Sequence, residues 1–310
     1  MRQTLVTAIA LALASTSMAA TAQSVAAAPS AVAGSNVQVV TTQLPRTARP
    51  THYAVEITPH ADKMRFDGKV AIDIVVLEST DRIVLQAAHL IFERSTLAQR
   101  KGAKPQIANV STDADAQTAT FAFDKPLLPG NYVLSIDYSG VINTQANGLF
   151  ALDYPTPQGQ RRALFTQFEN SDARRFVPSW DEPSFKATFD LAVNAPAAQM
   201  AVSNMPVASS TERANGLKRV AFKTTPKMST YLLFLSVGDF DRATVKADNG
   251  TEIGVISQKG KVDQANFALE SSRDILHGYN EYFGVQYPLP KLDNIAAPGN
   301  RAVSRFKCNT

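Results

Sequence analysis

The side chains that could carry hydrolytic chemistry are few and widely spaced. The 310-residue chain has four histidines, His52, His60, His89 and His277, and one cysteine, Cys308. A catalytic zinc needs three protein ligands, an open position for water and a base close to that water. None of these histidines has a second histidine three to five positions away, and none is followed by glutamate. The sequence therefore predicts no metal ligands and no catalytic residues for zinc hydrolysis.

Other catalytic arrangements leave no local motif either. Gly-x-Ser-x-Gly, the sharp turn that exposes a serine nucleophile in many hydrolases, does not occur. No glycine-rich loop with the spacing that cradles phosphates occurs. A serine, a histidine and an aspartate brought together from distant parts of the chain would leave no such trace, so a different hydrolase stays open at this stage.

A dense group of aromatic and charged residues lies between Leu164 and Phe189. Leu164, Phe165 and Phe168 have the pattern of a strand that contacts a core. Asp181-Glu182-Pro183 indicates a turn, because proline fixes φ and the acidic side chains accept local hydrogen bonds. For most residues of this stretch the sequence therefore predicts a structural role.

Two adjacent arginines in the same stretch have several possible partners. Arg174 and Arg175 follow Asp172 and precede Asp181 and Glu182. Either arginine could form an ion pair with any of these three carboxylates, and the sequence leaves the choice open.

The stretch from Leu164 to Phe189, which includes Gln167, Glu169 and Trp180, closely resembles the signature of the N-terminal domain of aminopeptidase N-like zinc metallopeptidases, the gluzincin aminopeptidases. The resemblance covers about residues 48–299. It implies a β-rich domain followed by an α/β thermolysin-like catalytic domain, and removal of N-terminal amino acids from peptides. For the full-length family member it implies zinc as the cofactor and peptides with a free N-terminus as partners.

The resemblance assigns a role to Glu169. In the family, the Gln or Glu at this position projects from the β domain into the active-site cleft and binds the α-amine of the substrate. An ammonium in a water-poor cleft needs a carboxylate, and such charge-assisted hydrogen bonds are strong. Because an internal amide offers no ammonium, this contact selects the end of a peptide. Gln167 is a second, weaker candidate for lining the same cleft.

The sequence departs from the family after residue 299. The family continues with Gly-x-Met-Glu-Asn and later His-Glu-x-x-His, whereas residues 300–310 are basic, unpatterned and unrelated, as after a frameshift. We therefore expect the N-terminal fragment of an exported aminopeptidase, inactive as written and binding no cofactor itself. A stand-alone β-sandwich module that binds peptides or another protein is the alternative.

The body of the chain has the pattern of a β protein. Short runs with period-two alternation or β-branched residues alternate with Gly, Pro and Asn turns, which predicts a mainly β, antiparallel sandwich or saddle over residues 48–241. The predicted strands are 52–57, 68–77, 118–123, 132–138, 189–193, 218–222 and 231–237.

The pattern changes beyond residue 241, where the incomplete start of the catalytic domain is expected over 242–299. One more strand is predicted over 251–257. A helix is predicted from Val262 to Phe283, and Gly284 stands where a helix ends. Its apolar side chains repeat roughly on one face: Phe267, Ile275, Leu276, Tyr279 and Phe283.

The N-terminus indicates export. Arg2, an apolar run from Leu5 to Leu13 and Ala20-Thr21-Ala22 predict a signal peptide over 1–22, with a disordered alanine-rich tail as the alternative. A flexible linker follows over 23–47. The apolar run is too short for a membrane span. A single cysteine allows no intramolecular disulfide, which favours a periplasmic or secreted protein with a large core.

The net charge of +4 gives no sign of a nucleic-acid partner. Arg2 accounts for one positive charge, and Arg301, Arg305 and Lys307 account for the other three. The rest of the chain is neutral, so the sequence predicts no binding to polyanions.

Overall fold

The computed structural model describes residues 43–99 and 104–298. These residues form nineteen strands, one α-helix and three 3-10 turns. The first ten strands are β1 (Ala48–His60), β2 (Arg65–Val76), β3 (Thr80–Gln86), β4 (Ile91–Gln99), β5 (Gln106–Ile107), β6 (Asn109–Asp113), β7 (Thr118–Leu127), β8 (Gly130–Val141), β9 (Gly148–Thr156) and β10 (Gly159–Gln167). The others are β11 (Lys186–Pro196), β12 (Met200–Ser203), β13 (Val207–Glu212), β14 (Leu217–Phe222), β15 (Met228–Ser229), β16 (Leu235–Gly238), β17 (Phe240–Lys246), β18 (Glu252–Gln258) and β19 (Lys291–Ile295). The helix is α1 (Asn266–Phe283), and the 3-10 turns are Ala173–Arg175, Thr230–Leu232 and Val262–Ala265.

The largest sheet has the strand order β13-β14-β11-β1-β2-β8-β4-β5, and β15 also pairs with β11. Most neighbours are antiparallel, and β2 alternates between buried and less buried residues along its length, as its period-two pattern predicts. The exception is the parallel pair of β1 with β11, which runs from His52 opposite Thr188 to Ile57 opposite Val193. The mainly β fold with several antiparallel sheets is thus confirmed.

Two smaller sheets, β3-β7-β6 and β12-β16-β10-β9, share a buried cluster with the large sheet. Rings from several strands meet in this cluster, and Tyr53 of β1 stacks on Phe189 of β11 with ring centroids 4.8 Å apart. Phe121 of β7, in the sheet β3-β7-β6, belongs to the same cluster. Burying each large apolar side chain contributes about 1.5–3 kcal/mol, so this cluster is the main source of the stability of the sandwich.

Two aromatic rings lie over glycines across the pair of β2 and β8. Phe66 is directly opposite Gly140, and Gly68 is directly opposite Tyr138. A Cβ atom would lie 2.3 Å from Tyr138 Cζ if added at Gly68, and 2.4 Å from Phe66 Cζ if added at Gly140. The Tyr138 hydroxyl also donates to the carbonyl of Phe176 at 2.9 Å. The two glycines therefore provide the space that the two rings occupy.

The strand predicted over 231–237 is wrong in its first part, because Thr230–Leu232 form a 3-10 turn and β16 begins only afterwards. The side chain of Asn204 explains the difference. Its Oδ1 accepts from the backbone N–H of Phe234 at 2.8 Å, and its Nδ2 donates to the carbonyl of Leu232 at 2.8 Å. These two bonds replace the ladder bonds that a longer strand would have formed.

The predicted helix from Val262 to Phe283 is confirmed as a 3-10 turn followed by α1. Gly284 ends it with φ of 64°, the left-handed conformation that glycine adopts readily. The helix packs on the sheet β17-β18-β19, yet only Leu269 and Leu276 of α1 are buried. The remaining large apolar side chains of α1 are exposed: Phe267, Ile275, Tyr279, Tyr282 and Phe283.

Several sequence predictions concern other parts of the chain. The signal peptide over 1–22, linker residues 23–42 and the tail over 300–310 lie outside the described residues. The expected boundary near residue 241 falls inside β17, and the division into 48–241 and 242–299 stays a prediction. In the described part of the chain, no helix is long and apolar enough to cross a membrane.

Candidate functional site

The loop that carries Glu169 leaves the end of β10. Leu164 and Phe165 of β10 are buried, and so is Phe168 just beyond the strand, as the sequence pattern predicts. The Phe168 ring packs on the Phe176 ring with centroids 5.2 Å apart. Because Phe168 is fixed in the core, the next residue, Glu169, is turned outward, and its side chain is exposed.

A second set of contacts holds the far end of this loop. The carbonyl of Phe168 accepts from the backbone N–H of Asp172 at 2.8 Å, and Asp172 Oδ1 accepts from Arg175 Nε at 2.7 Å. The Cβ atom of Arg175 lies close to Gly148 on β9, where an added Cβ would be 2.9 Å away. The loop is thus held at both ends by the sheet β10-β9 and the 3-10 turn Ala173–Arg175.

The structure places the two candidate substrate-binding residues at different depths. Gln167 is the last residue of β10, opposite Gly148, and it is half-buried. Glu169 follows two positions later, and the peptide bond between Glu169 and Asn170 is cis. The two residues are neighbours at one end of the sheet, and their binding of a substrate amine stays a prediction.

The structure gives each of the two arginines its own carboxylate partner. Arg175 pairs with Asp172, whereas Arg174 Nε lies 3.0 Å from Asp181 Oδ2. The side chain of Asp181 is only 2% exposed, and the backbone N–H of Arg174 also donates to it at 3.3 Å. Burial raises the pKa of the Asp181 carboxyl to about 6, and the bonds from Arg174 oppose that rise. Residues 168–185, which connect β10 to β11, are called the signature loop. The pair of Arg174 and Asp181 fixes the end of this loop against its 3-10 turn, Ala173–Arg175.

The third carboxylate, Glu182, binds a segment that the sequence did not connect with it. Its Oε1 accepts from the backbone N–H of Leu44 at 2.6 Å, and its Oε2 lies 2.8 Å from Arg46 Nη2. The Arg46 guanidinium also lies over the Phe185 ring, 4.4 Å from its centroid. Leu44 is buried, so residues 43–47, the end of the predicted linker, are packed against the turn after Trp180.

Sequence reasoning missed the role of Gln86. This buried residue at the end of β3 exchanges backbone hydrogen bonds with Ser179, and its Oε1 accepts from the backbone N–H of Asp181 at 2.8 Å. Tyr53 adds a further bond, since its hydroxyl accepts from the backbone N–H of Trp180 at 3.1 Å. A lone glutamine in an unpredicted strand gives no sequence signal for such a contact.

Three of the histidines have separate partners. His52 Nδ1 lies 2.8 Å from Thr188 Oγ1, and His60 Nε2 lies 2.8 Å from Asp67 Oδ2. His277 lies between two exposed carboxylates on the surface of α1. Among residues 43–99 and 104–298, no group of three or more His, Cys, Asp or Glu side chains could hold a metal ion. The described residues therefore do not fit the zinc site that the resemblance implies for the whole enzyme.

Comparison with known proteins gives the same family as the signature. The model of the Peptidase M1 N-terminal domain matches residues 49–232, which include the whole signature loop. The chain belongs to the M1 peptidase family. The similarity to individual relatives extends beyond the residues that the domain model matches. This M1 chain is 44% identical over 259 residues to "Aminopeptidase N" of Acetobacter pasteurianus. The aligned region covers 83% of this chain and 71% of that protein.

Other M1 relatives are longer. The chain is 38% identical over 256 residues to "Aminopeptidase M1-C" of Oryza sativa subsp. japonica, and 34% identical over 263 residues to "Endoplasmic reticulum aminopeptidase 1" of Mus musculus. Each match covers 83% of this chain but only 29% of the rice protein and 28% of the mouse protein. The described structure therefore corresponds to the N-terminal portion of these aminopeptidases.

Proposed function

We propose that this chain provides the part of an exported zinc aminopeptidase that recognises the N-terminus of a peptide. The observation that carries the proposal is the position of Glu169, an exposed carboxylate on a loop held by Phe168 on one side and by Asp172 and Arg175 on the other. A carboxylate held in this way is suited to accept charge-assisted hydrogen bonds from a peptide α-ammonium. Gln167 would add an uncharged hydrogen-bonding group beside it.

The proposal includes the absence of catalysis by this chain alone. The sequence contains neither His-Glu-x-x-His nor Gly-x-Met-Glu-Asn, and the described residues hold no metal-binding group. Hydrolysis requires both the metal-activated water and the anchored substrate. In the complete enzyme, zinc would be bound by residues that this sequence does not contain, and Glu169 would act only in substrate binding.

The experiment is a titration of the chain followed by NMR, with a short peptide that has a free N-terminus and the same peptide N-acetylated. We expect weak, saturable shifts near Glu169 for the free peptide and none for the acetylated one. Glu169→Ala should remove the difference between the two peptides, whereas Glu78→Ala, an exposed carboxylate elsewhere, should retain it. Equal binding of both peptides would contradict the anchor and support the stand-alone binding module.

Activity and metal content test the second part of the proposal. The purified chain should release no amino acid from aminoacyl reporter substrates, and metal analysis should find no stoichiometric zinc. About one tightly held zinc per chain, as catalytic sites hold it, would contradict the proposal. Export is tested separately by N-terminal sequencing of the protein from a bacterial periplasm, where a start at Gln23 is expected and an intact Met1 would oppose it.

A further inference from the structure

A groove of about 1160 Å³ lies between the hairpin of β9 and β10 and the ends of β1, β11 and β18. Its walls come from four separate turns, formed by residues 59–62, 156–162, 196–199 and 258–261. Pockets for small ligands usually measure about 300–1,000 Å³. The groove therefore has room for a chain segment of several residues rather than for a single small molecule.

Tyr154 forms the inner end of the groove. Its ring belongs to a buried cluster with Phe150 and Phe165, and only 2% of the residue is exposed. Its hydroxyl is buried and has no hydrogen-bond partner among the described residues. Because this hydroxyl is buried, Tyr154 closes the inner end of the groove and leaves contacts with a ligand to the residues around it.

Two opposite charges, Arg161 and Asp239, lie next to Tyr154. Arg161 is directly opposite Tyr154 in the hairpin of β9 and β10, and its Nε lies 3.6 Å from Asp239 Oδ2, too far for a hydrogen bond. Half of the Arg161 side chain is exposed, with a relative accessibility of 50%. Its guanidinium is therefore only loosely engaged and has donors left for a further acceptor.

Two more cations stand on the rim without acidic partners. Lys259 and Lys261 are exposed, and within the described residues neither ammonium has a carboxylate within 4.0 Å. Arg162 differs, because Asp153 binds it at 2.6 Å and 2.7 Å and the carbonyl of Ala61 accepts from it at 2.6 Å. Among the described residues, the groove thus offers two cations without acidic partners, Lys259 and Lys261. Arg161 is paired with Asp239 without a hydrogen bond, and Arg162 is already neutralised.

Glutamine side chains line the space between these cations. Gln158, Gln160, Gln199 and Gln258 all face the groove. An amide side chain donates and accepts hydrogen bonds at once, as the N–H and C=O groups of a peptide backbone require. Polynucleotides, by contrast, need a broad basic surface, and this groove also contains Asp62 and Asp239.

We propose that this groove binds an acidic peptide segment. One carboxylate of the segment accepts from Arg161, and further acidic side chains face Lys259 and Lys261. The glutamine amides bind its backbone. This site is separate from Glu169 and needs no free N-terminus, so it goes beyond the proposed recognition of a peptide amine.

The test uses the full chain and a fluorescent peptide of alternating Glu and Gly, blocked at both ends so that it cannot engage an amine anchor. Fluorescence anisotropy should show saturable binding, and the same peptide with Gln in place of Glu should bind at least about tenfold more weakly, because the ion pairs are lost. Lys259→Gln with Lys261→Gln should weaken binding about tenfold. Lys125→Gln with Lys227→Gln, two exposed lysines elsewhere, should not.

Arg161→Gln separates binding from folding. It removes a guanidinium that is half exposed, so the free energy of unfolding should change little, while the affinity for the Glu peptide should fall severalfold. Three results would overturn the proposal. The first is an equal loss of affinity in the two double lysine variants, and the second is no binding of the Glu peptide by the unmodified chain. The third is tighter binding of inorganic phosphate or an oligonucleotide at the same residues.

Discussion

The carboxylate of Asp181 lies against the guanidinium of Arg174 and is almost completely removed from water. Burial of a charged group and the attraction of its partner act in opposite directions on the pKa. Here burial is the larger effect, and it raises the pKa of Asp181 to about 6 although Arg174 donates two hydrogen bonds to it. The signature loop therefore contains a carboxylate whose charge is costly at neutral pH.

The pH dependence of stability should reveal this carboxylate. Its pKa in the folded chain is above the value of about 3.9 for an unfolded chain, so the native state binds more protons between these values. The free energy of unfolding should therefore rise as the pH falls from about 8 to 4, by up to about 3 kcal/mol relative to Asp181→Asn. Urea unfolding of both proteins measures this difference. If the free energy of unfolding of the unmodified chain instead falls relative to that of Asp181→Asn on acidification, Arg174 lowers the pKa of Asp181.

At the level of single residues, sequence predicted burial better than partners. Leu164, Phe165 and Phe168 are in the core as expected, because apolar type and spacing determine burial. The sequence left three carboxylates open as partners of Arg174 and Arg175, and it did not anticipate that Arg46 would bind the third, 136 positions away. Ion pairs between distant segments depend on the fold and leave no local pattern.

At the level of secondary structure, the pair of β2 and β8 depends on two glycines that the rings of Phe66 and Tyr138 cover. Gly68→Ala would force the Tyr138 ring away from its position, and overpacking of this kind costs about 1–3 kcal/mol. We therefore expect Gly68→Ala to lower the free energy of unfolding by this amount.

Gly278→Ala is the matched control for this substitution. Gly278 lies in α1 with open space around the added Cβ, and alanine favours a helix by about 1 kcal/mol over glycine. Chemical denaturation should therefore show opposite effects for the two variants. Similar effects would mean that the ring of Tyr138 moves aside without cost.

The strands that sequence predicted well have one buried and one exposed face. β1, β2 and β8 alternate in burial, and their period-two pattern identified them. β13 was missed because all six of its residues are exposed, so it has no alternation. The late start of β16, compared with the strand predicted over 231–237, depends on the side chain of Asn204, which is distant in sequence and gave no signal.

Across the whole molecule, the buried clusters differ greatly in size. The cluster shared by the sandwich sheets extends from Leu44 to Val237, whereas six buried residues of the described part of the chain hold α1 on its sheet. Local opening is easiest where few apolar contacts must break. Among the described residues, trypsin should therefore cleave first after Lys259, Lys261 or Arg273 and leave a resistant fragment that ends at Lys259 or Lys261.

Mass spectrometry of the fragments tests this order of cleavage. Lys259→Gln with Lys261→Gln should move the first cut to Arg273, because the opening of α1 is unchanged. Early cleavage inside β1, β2 or β8 would show instead that the sandwich is the less stable part.

The parallel pairing of β1 with β11 also determines when the largest sheet can be completed. His52 and Thr188, which face each other in this pair, are 136 positions apart. During synthesis β2 can join β1 after a short turn, but the other edge of β1 stays open until the ribosome has added β11. Contacts of such long separation form slowly, and an open strand edge can pair with other chains. The free edge of β1 is therefore exposed to pairing with other chains until β11 covers it.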